Sequence, residues 1–145
     1  MNLKTILAVP EQSSFGDAAL LVARLVGGTA FMLHGWGKIQ NPFAWMGPEA
    51  DVPGLLQALA ALSEFGGGLA WVLGLLVPLA SLGIAFTMAV AVYSHAVLWG
   101  HPFVATGGGP AYELALIYLC ISLLLMAIGP GRLSLDRVVF GARSA

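Results

Sequence analysis

Charged side chains are scarce in this sequence. Of its 145 residues, only 9% are Asp, Glu, Lys or Arg, while 59% are hydrophobic. A soluble domain carries roughly 25% charged residues, so this chain has too few to cover a surface that faces water. The composition therefore excludes an ordinary soluble domain and indicates a small integral membrane protein.

Other absences narrow the functional classes. Lys and Arg number six against seven Asp and Glu, a net charge of −1, so the chain has no basic excess for binding nucleic acid. The single cysteine, Cys120, excludes an intrachain disulfide and a CxxC redox or zinc motif. The sequence contains no haem, flavin or metal motif, and no iron–sulfur cysteine set. It therefore cannot carry a redox chain alone.

What the sequence does contain is a series of apolar runs, punctuated by proline and glycine. Four of them, at residues 18–38, 55–77, 79–99 and 111–128, are long enough for a hydrocarbon core of about 30 Å at about 1.5 Å per residue. We therefore expect an all-α protein, an integral membrane four-helix bundle. Residues 1–17 form a cytoplasmic or interfacial leader, 18–130 the helical domain and 131–145 a cytoplasmic tail.

Basic residues indicate the orientation of the bundle. An even number of spans places both termini on one side of the membrane. That side would hold most of the basic residues that lie outside the spans, namely Lys4, Arg132, Arg137 and Arg143. The opposite side would hold Lys38 alone, next to an acidic loop. The positive-inside rule therefore predicts cytoplasmic termini in a multi-pass protein of the bacterial inner membrane.

One acid lies deep inside the second run. Glu64 is followed by glycines at 66–68, which allow another helix to approach closely. A charge in hydrocarbon is costly and is a functional hypothesis by default. Counting helical rise from the span ends places Arg24 and Glu64 at levels about 6–7 Å apart, so we predict a buried Arg24–Glu64 ion pair. Such a pair either serves function or only fixes how the helices pack.

The outer half of the predicted bundle collects further polar residues. His34 and Lys38 share a face of the first helix, and Trp71 follows Glu64 by seven residues along one stripe of the second. A polar side chain also lies near the outer end of each remaining helix. We therefore expect one cluster beneath the outer headgroups, formed by His34, Lys38, Glu64, His95 and Glu113.

Such a cluster suits a quinone, whose two carbonyl oxygens accept hydrogen bonds and whose reduction consumes protons. The predicted proton-exchanging residues are Glu64, His34, His95 and Glu113, and the predicted head-group contacts are His34, Lys38, Trp71 and His95. A metal with nitrogen and oxygen ligands and a haem held by His34 and His95 are alternatives without a supporting motif.

Each of these residues also has a purely structural explanation. The carboxylate of Glu113 is stabilised by the start of a helix whatever its role. Lys38 can extend to the lipid headgroups, and His34 and His95 can be hydrogen-bonded and inert. The thiol of Cys120 is explained by packing alone.

Four segments together resemble a known family. They are R-x9-HGWGK from Arg24, EFGGG from Glu64, YE at 112–113 and GPGRLSLD at 129–136. The chain resembles the DoxX family of small bacterial and archaeal membrane proteins, from residue 18 to 140. The resemblance implies a four-helix bundle in the cytoplasmic membrane. Family members include a subunit of an archaeal thiosulfate:quinone oxidoreductase and partners of soluble redox enzymes in oxidative-stress complexes.

Two functional hypotheses follow. The first is a redox-associated membrane subunit that binds quinone or quinol near the outer leaflet and works with a partner oxidoreductase. The second is a non-catalytic subunit that anchors or assembles a larger complex. Sulfur transfer through a membrane thiol pair would need a second cysteine, so the sequence disfavours that chemistry. A transporter usually shows inverted repeats or broken helices, and their absence from the sequence disfavours a transport function. The expected partners are the bilayer, another redox protein or membrane complex, and a second copy of the chain.

Overall fold

The structure, a computed structural model, describes residues 7–142. The helices are α1 (Ser14–Gln40), α2 (Gly54–Leu73), α3 (Val77–Leu98), α4 (Glu113–Ile128) and α5 (Leu135–Phe140). No β-strand occurs among residues 7–142, where one isolated bridge joins Val9 to Ala142. The all-α expectation is confirmed. Residues 1–6 and 143–145, and with them the predicted roles of Lys4 and Arg143 in orientation, lie outside the described residues.

The helices differ in whether their length and hydropathy allow them to cross a membrane. By length and hydropathy α1, α2 and α3 are each able to span it. The fourth, α4, has 16 residues, which corresponds to about 24 Å against a hydrocarbon core of about 30 Å. The number of four spans and the cytoplasmic position of both termini therefore stay predictions.

Glycine lets α1 and α2 approach closely. A Cβ atom on Gly28 would lie 2.6 Å from the carbonyl oxygen of Gly68, and one on Gly35 would lie 2.6 Å from the backbone nitrogen of Phe65. Contacts this short between backbones are possible only without side chains, which is how small residues favour helix association in lipid. The two helices run antiparallel, and Gly28 and Gly68 lie at the same level.

The turn between α2 and α3 is short and partly left-handed. The second helix ends at Leu73 and the third begins at Val77, with Pro78 in its first turn. Gly74 has a φ of 67° and Leu76 a φ of 52°. A left-handed conformation costs a residue other than glycine roughly 1–2 kcal/mol, so contacts from elsewhere must hold Leu76 in place.

An aromatic cluster fills the middle of the bundle. Phe31 packs edge-on against Trp71, with ring centroids 5.6 Å apart, and lies 4.7 Å from the ring of Tyr118. The indole N–H of Trp71 donates to Ser81 Oγ at 2.9 Å, which satisfies its polar atom inside the core. This cluster separates two polar regions at opposite ends of the bundle. We call the region around Asp17, Arg24, Arg132 and Asp136 the Asp17 end, and the region around Lys38, Trp45 and Glu64 the Lys38 end.

Candidate functional site

At the Asp17 end, a carboxylate ties the start of α1 to the segment after α4. The backbone N–H of Arg132 donates to Asp17 Oδ1 at 2.8 Å, and its guanidinium Nε contacts Oδ2. Asp17 is buried, whereas the side chain of Arg132 is about half exposed. Beside this pair is an open cleft of about 340 Å³. Because both oxygens of Asp17 accept hydrogen bonds, the pair has an architectural role.

Arg24, fully buried, caps the end of α2. Its guanidinium donates to the carbonyl oxygen of Trp71 at 3.1 Å and to that of Leu133 at 2.5 Å. The last carbonyls of a helix lack partners within the helix, and a cation near them is favourable. Arg24 thus joins α1, the end of α2 and the chain that leads into α5.

Asp136, at the start of α5, caps the first turn of α3. Its two carboxylate oxygens accept from the backbone N–H groups of Leu76 at 2.6 Å and Val77 at 2.9 Å. These two hydrogen bonds hold the left-handed Leu76 in place. Burial raises the pKa of the Asp136 carboxyl, and this effect is larger than the lowering of the pKa by the two backbone donors and by Arg24. The role of Asp136 was missed because it depends on a contact across 60 residues of chain.

The predicted Arg24–Glu64 pair is not formed. Gly28 and Gly68 are level with each other, and Arg24 lies four residues from this crossing toward the Asp17 end. Glu64 lies four residues from it toward the Lys38 end, so about 12 Å of helix separates the two. Counting from assumed span ends underestimated this distance by about half. Glu64 pairs with Lys38 instead.

The Lys38–Glu64 pair is the centre of the Lys38 end. Lys38 Nζ lies 2.6 Å from Glu64 Oε1, with side-chain exposures of 26% for the lysine and 5% for the glutamate. Glu64 Oε2 is buried and accepts no hydrogen bond from any described residue. The pair thus combines a lysine that is open to its surroundings with a carboxylate that retains an unused acceptor.

A loop between α1 and α2 covers this pair. Lys38 Nζ lies 4.4 Å from the ring centroid of Trp45, within the range of a cation–π contact. The indole of Trp45 donates to the Gln57 carbonyl oxygen at 2.9 Å, and the side chain of Gln57 bonds to Met46 at 3.0 Å and Val52 at 2.8 Å. Gln57 therefore anchors the loop. Gln57 was not among the predicted site residues. Its position as a polar residue near the start of an apolar run could have indicated this anchoring role.

The backbone around Glu64 is irregular. Residues Leu62–Gly66 form a π-helical turn inside α2, and a second one, Ser94–Leu98, ends α3. Such turns are rare and frequently occur at functional sites. No pattern in the sequence predicted them. The Leu62–Gly66 turn displaces Glu64 from regular helical register, and it is thus part of how the carboxylate reaches Lys38.

The remaining predicted site residues do not join the pair. His34 is exposed on the side of α1, and Trp71 is in the core. His95 contacts His101 instead, with their Nδ1 atoms 2.9 Å apart. Glu113 is partly buried at the start of α4, where its backbone N–H donates to the Phe103 carbonyl oxygen at 3.0 Å. Among residues 7–142, no three His, Cys, Asp or Glu side chains lie close enough to hold one metal ion.

Comparison with known proteins identifies the family. The sequence pattern of the DoxX family matches residues 19–98, more than half of the chain. The chain belongs to the DoxX family. It is also 35% identical over 131 residues to "Inner membrane protein YqjF" of Escherichia coli (strain K12), an alignment that covers 85% of this chain and 93% of the relative. No solved structure matches it.

Membership agrees with the apolar helices. Together, the DoxX match, the relative's name and the three span-capable helices establish a multi-pass protein of the inner membrane. The resemblance noted from the sequence is thus confirmed, as is the expected location. Of the residues discussed, Arg24, Lys38 and Glu64 lie inside the matched range, whereas Asp136 lies beyond it.

Proposed function

We propose that this protein is a redox-associated membrane subunit that binds the head group of a quinol or quinone at the Lys38–Glu64 pair. The observation that carries the proposal is the unused oxygen of Glu64. This side chain is 5% exposed, and its Oε2 atom accepts no hydrogen bond from the described chain. Leaving a buried acceptor without a donor costs roughly 1–3 kcal/mol, and more for a charged group. A ligand that brings a donor removes that cost.

The chemistry of the pair matches a quinol. A hydroquinone hydroxyl donates to a carboxylate oxygen, and the ammonium group of Lys38 has three N–H donors for a second ligand oxygen. Glu64 Oε2 supplies the acceptor, and Lys38, already 2.6 Å from Oε1, supplies the donor. A carboxylate next to a bound hydroxyl is also a suitable proton acceptor.

Access to the pair is from the side where Lys38 is partly exposed. Lys38 is in the last turn of α1, and Trp45 lies over its ammonium group. In the predicted orientation this is the outer leaflet. A quinone dissolved in the membrane approaches such a site without leaving the bilayer. Since the sequence contains no haem, flavin or iron–sulfur motif, electrons pass between the bound head group and a partner oxidoreductase.

The test compares two acid-to-amide changes at opposite ends. In purified full-length protein, Glu64→Gln replaces the unused acceptor by a donor, and Asp17→Asn is the matched control at the Asp17 end. A charged hydrogen bond contributes about 1.5–3 kcal/mol, so we expect Glu64→Gln to weaken binding of a short-chain quinol roughly 10- to 100-fold. Asp17→Asn should leave the affinity unchanged. Equal affinity in the parent and Glu64→Gln, or no binding to the parent, would refute the proposal.

A second function, a non-catalytic anchor subunit, has its own supporting observation. Loops at the Lys38 end expose large aromatic side chains, including Phe43 at 63%, Trp99 at 58% and Phe103 at 52%. Exposed aromatics are typical of contact surfaces as well as of membrane boundaries. Purification under mild conditions separates the two functions. A stoichiometric partner enzyme, with no ligand density next to Glu64, would favour the anchor.

A further inference from the structure

The second π-helical turn brings two of the chain's three histidines together. Ser94–Leu98 ends α3, and Gly100 follows with a φ of 64°. The backbone N–H of His101 then donates to the carbonyl oxygen of His95 at 2.8 Å. This is the bond of a glycine-terminated helix cap, widened by one residue. It folds His101 back over His95.

The two imidazoles converge on one point. Their Nδ1 atoms are 2.9 Å apart and their ring centroids 5.0 Å apart. Trp99 packs against both rings, with its centroid 4.8 Å from that of His95 and 5.7 Å from that of His101. Both histidines are partly exposed and lie at the C-terminal end of α3, at one end of that candidate span. This group, His95, Trp99 and His101, forms a histidine clasp that is not part of the Lys38–Glu64 pair.

We propose that the histidine clasp is a binding site for a divalent transition-metal ion, for which Cu²⁺ is the preferred ion. Neutral imidazole nitrogens are good ligands for copper, nickel and zinc, and copper binds most tightly in this series. Two metal–nitrogen bonds of about 2.0–2.1 Å that meet at about 90–110° place the nitrogens about 2.8–3.4 Å apart. The observed separation of 2.9 Å lies within this range.

Water completes the coordination of the ion. In the described part of the chain, no third His, Cys, Asp or Glu joins the two histidines, so the remaining positions are open. The site is accordingly an exchangeable one with two protein ligands. This site was not predicted from the sequence, where His95 was assigned to the quinone cluster and His101 to no site.

Copper titration of the full-length protein, purified without a histidine tag, tests this inference. We expect Cu²⁺ to quench tryptophan fluorescence, because Trp99 lies next to the ligands, and to give an electron paramagnetic resonance spectrum with two nitrogen ligands. Replacing His101 by Gln should weaken binding at least about tenfold, since even groups that only support a ligand cost that much. His34→Ala, which removes the third histidine, is the matched control and should bind copper like the parent.

Two outcomes would overturn the proposal. In the first, the parent protein binds Cu²⁺ no better than the double variant His95→Ala, His101→Ala. The contact between the two rings is then only a hydrogen bond. The other is equal loss in His34→Ala and His101→Gln. Because the clasp lies near the surface, circular dichroism and size-exclusion profiles of His101→Gln should match the parent, which keeps the comparison valid. Neither outcome bears on quinol binding by Glu64.

Discussion

The two ends of the bundle use their carboxylates differently. At the Asp17 end, both oxygens of Asp17 and both oxygens of Asp136 accept hydrogen bonds. At the Lys38 end, one oxygen of the buried Glu64 accepts none from the described residues. Ser63 Oγ, next to Glu64 in sequence, is also buried without a partner among the described residues. At the Asp17 end, Arg24 Nε and Arg137 Nη1 lack partners as well, but each belongs to a guanidinium group with several other donors. The proposed function assigns these two arrangements of buried charge to architecture and to ligand binding, respectively.

Architecture and ligand binding predict different responses to substitution. A carboxylate that holds the backbone should cost stability when it is removed. A carboxylate with a spare acceptor should cost little stability and instead change ligand affinity. Unfolding of purified variants in detergent tests that division.

Asp136→Ala should have the largest effect on stability. It leaves the N–H groups of Leu76 and Val77 without an acceptor, and each buried donor left unsatisfied costs roughly 1–3 kcal/mol. We expect the free energy of unfolding to fall by about 3–4 kcal/mol. Asp136→Asn keeps one acceptor and should cost less. A loss below about 1 kcal/mol for Asp136→Ala would mean that the α2–α3 turn is stable without the hydrogen bonds from Asp136.

Gly74→Ala and Gly100→Ala compare a left-handed glycine at each end. Their φ values are 67° and 64°, so the strain on alanine is similar. A Cβ on Gly74 would overlap the Arg24 guanidinium and lie 2.6 Å from Ser134 Cβ, whereas nothing lies within 4 Å of one on Gly100. Strain and overpacking together should cost about 3 kcal/mol at Gly74, and strain alone about 1 kcal/mol at Gly100. Equal losses would contradict the description of a crowded Asp17 end.

Lys38→Met should leave Glu64 buried without its cation. Breaking a buried pair in this way costs roughly 3–5 kcal/mol, and the partial exposure of Lys38 reduces our expectation to about 2 kcal/mol. Adding Glu64→Leu should restore most of the lost stability, because the unpaired acid is then gone. If the double variant is as unstable as Lys38→Met, the loss arises from packing under Trp45 and not from the charge.

Glu64→Gln and Asp17→Asn make the same chemical change at the two ends. At Asp17 the new amide would point a donor at the donors of Arg132, so we expect a loss of about 1.5 kcal/mol. Glu64 Oε2 accepts nothing from the described chain, and the amide oxygen of Gln can still accept from Lys38. Replacing one charged hydrogen bond by a neutral one should therefore cost only about 0.5–1 kcal/mol. Thermal unfolding followed by tryptophan fluorescence measures both. A larger loss at Glu64 would show that its spare oxygen already has a structural partner.

The sequence predicted the helices because hydropathy and length determine them almost alone. It also made Glu64 a candidate site residue, since a single acid in a long apolar run has few explanations, and that role stays a prediction. The predicted partner of that acid was wrong. Whether Arg24 or Lys38 lies level with Glu64 depends on the point at which α1 and α2 cross, and that point is set by contacts between their glycines. The crossing of Gly28 and Gly68 is a tertiary feature that residue counting cannot locate.

Three features could not be predicted from residue patterns. The π-helical turns leave no mark in the sequence, so the displacement of Glu64 and the clasp of His95 and His101 were missed. The capping of α3 by Asp136 depends on a contact between distant segments. The exposure of His34 depends on the rotation of α1, and i, i+4 spacing with Lys38 could not distinguish the inner side chain from the outer one.

A structure of the full-length protein determined with a short-chain quinol would test most directly whether Glu64 and Lys38 bind the head group. We expect flat density at the Lys38 end, with one ligand oxygen within hydrogen-bonding distance of Glu64 Oε2 and another near Lys38 Nζ. An unoccupied Glu64, or the quinol seated in the cleft beside Asp17 and Arg132, would contradict it.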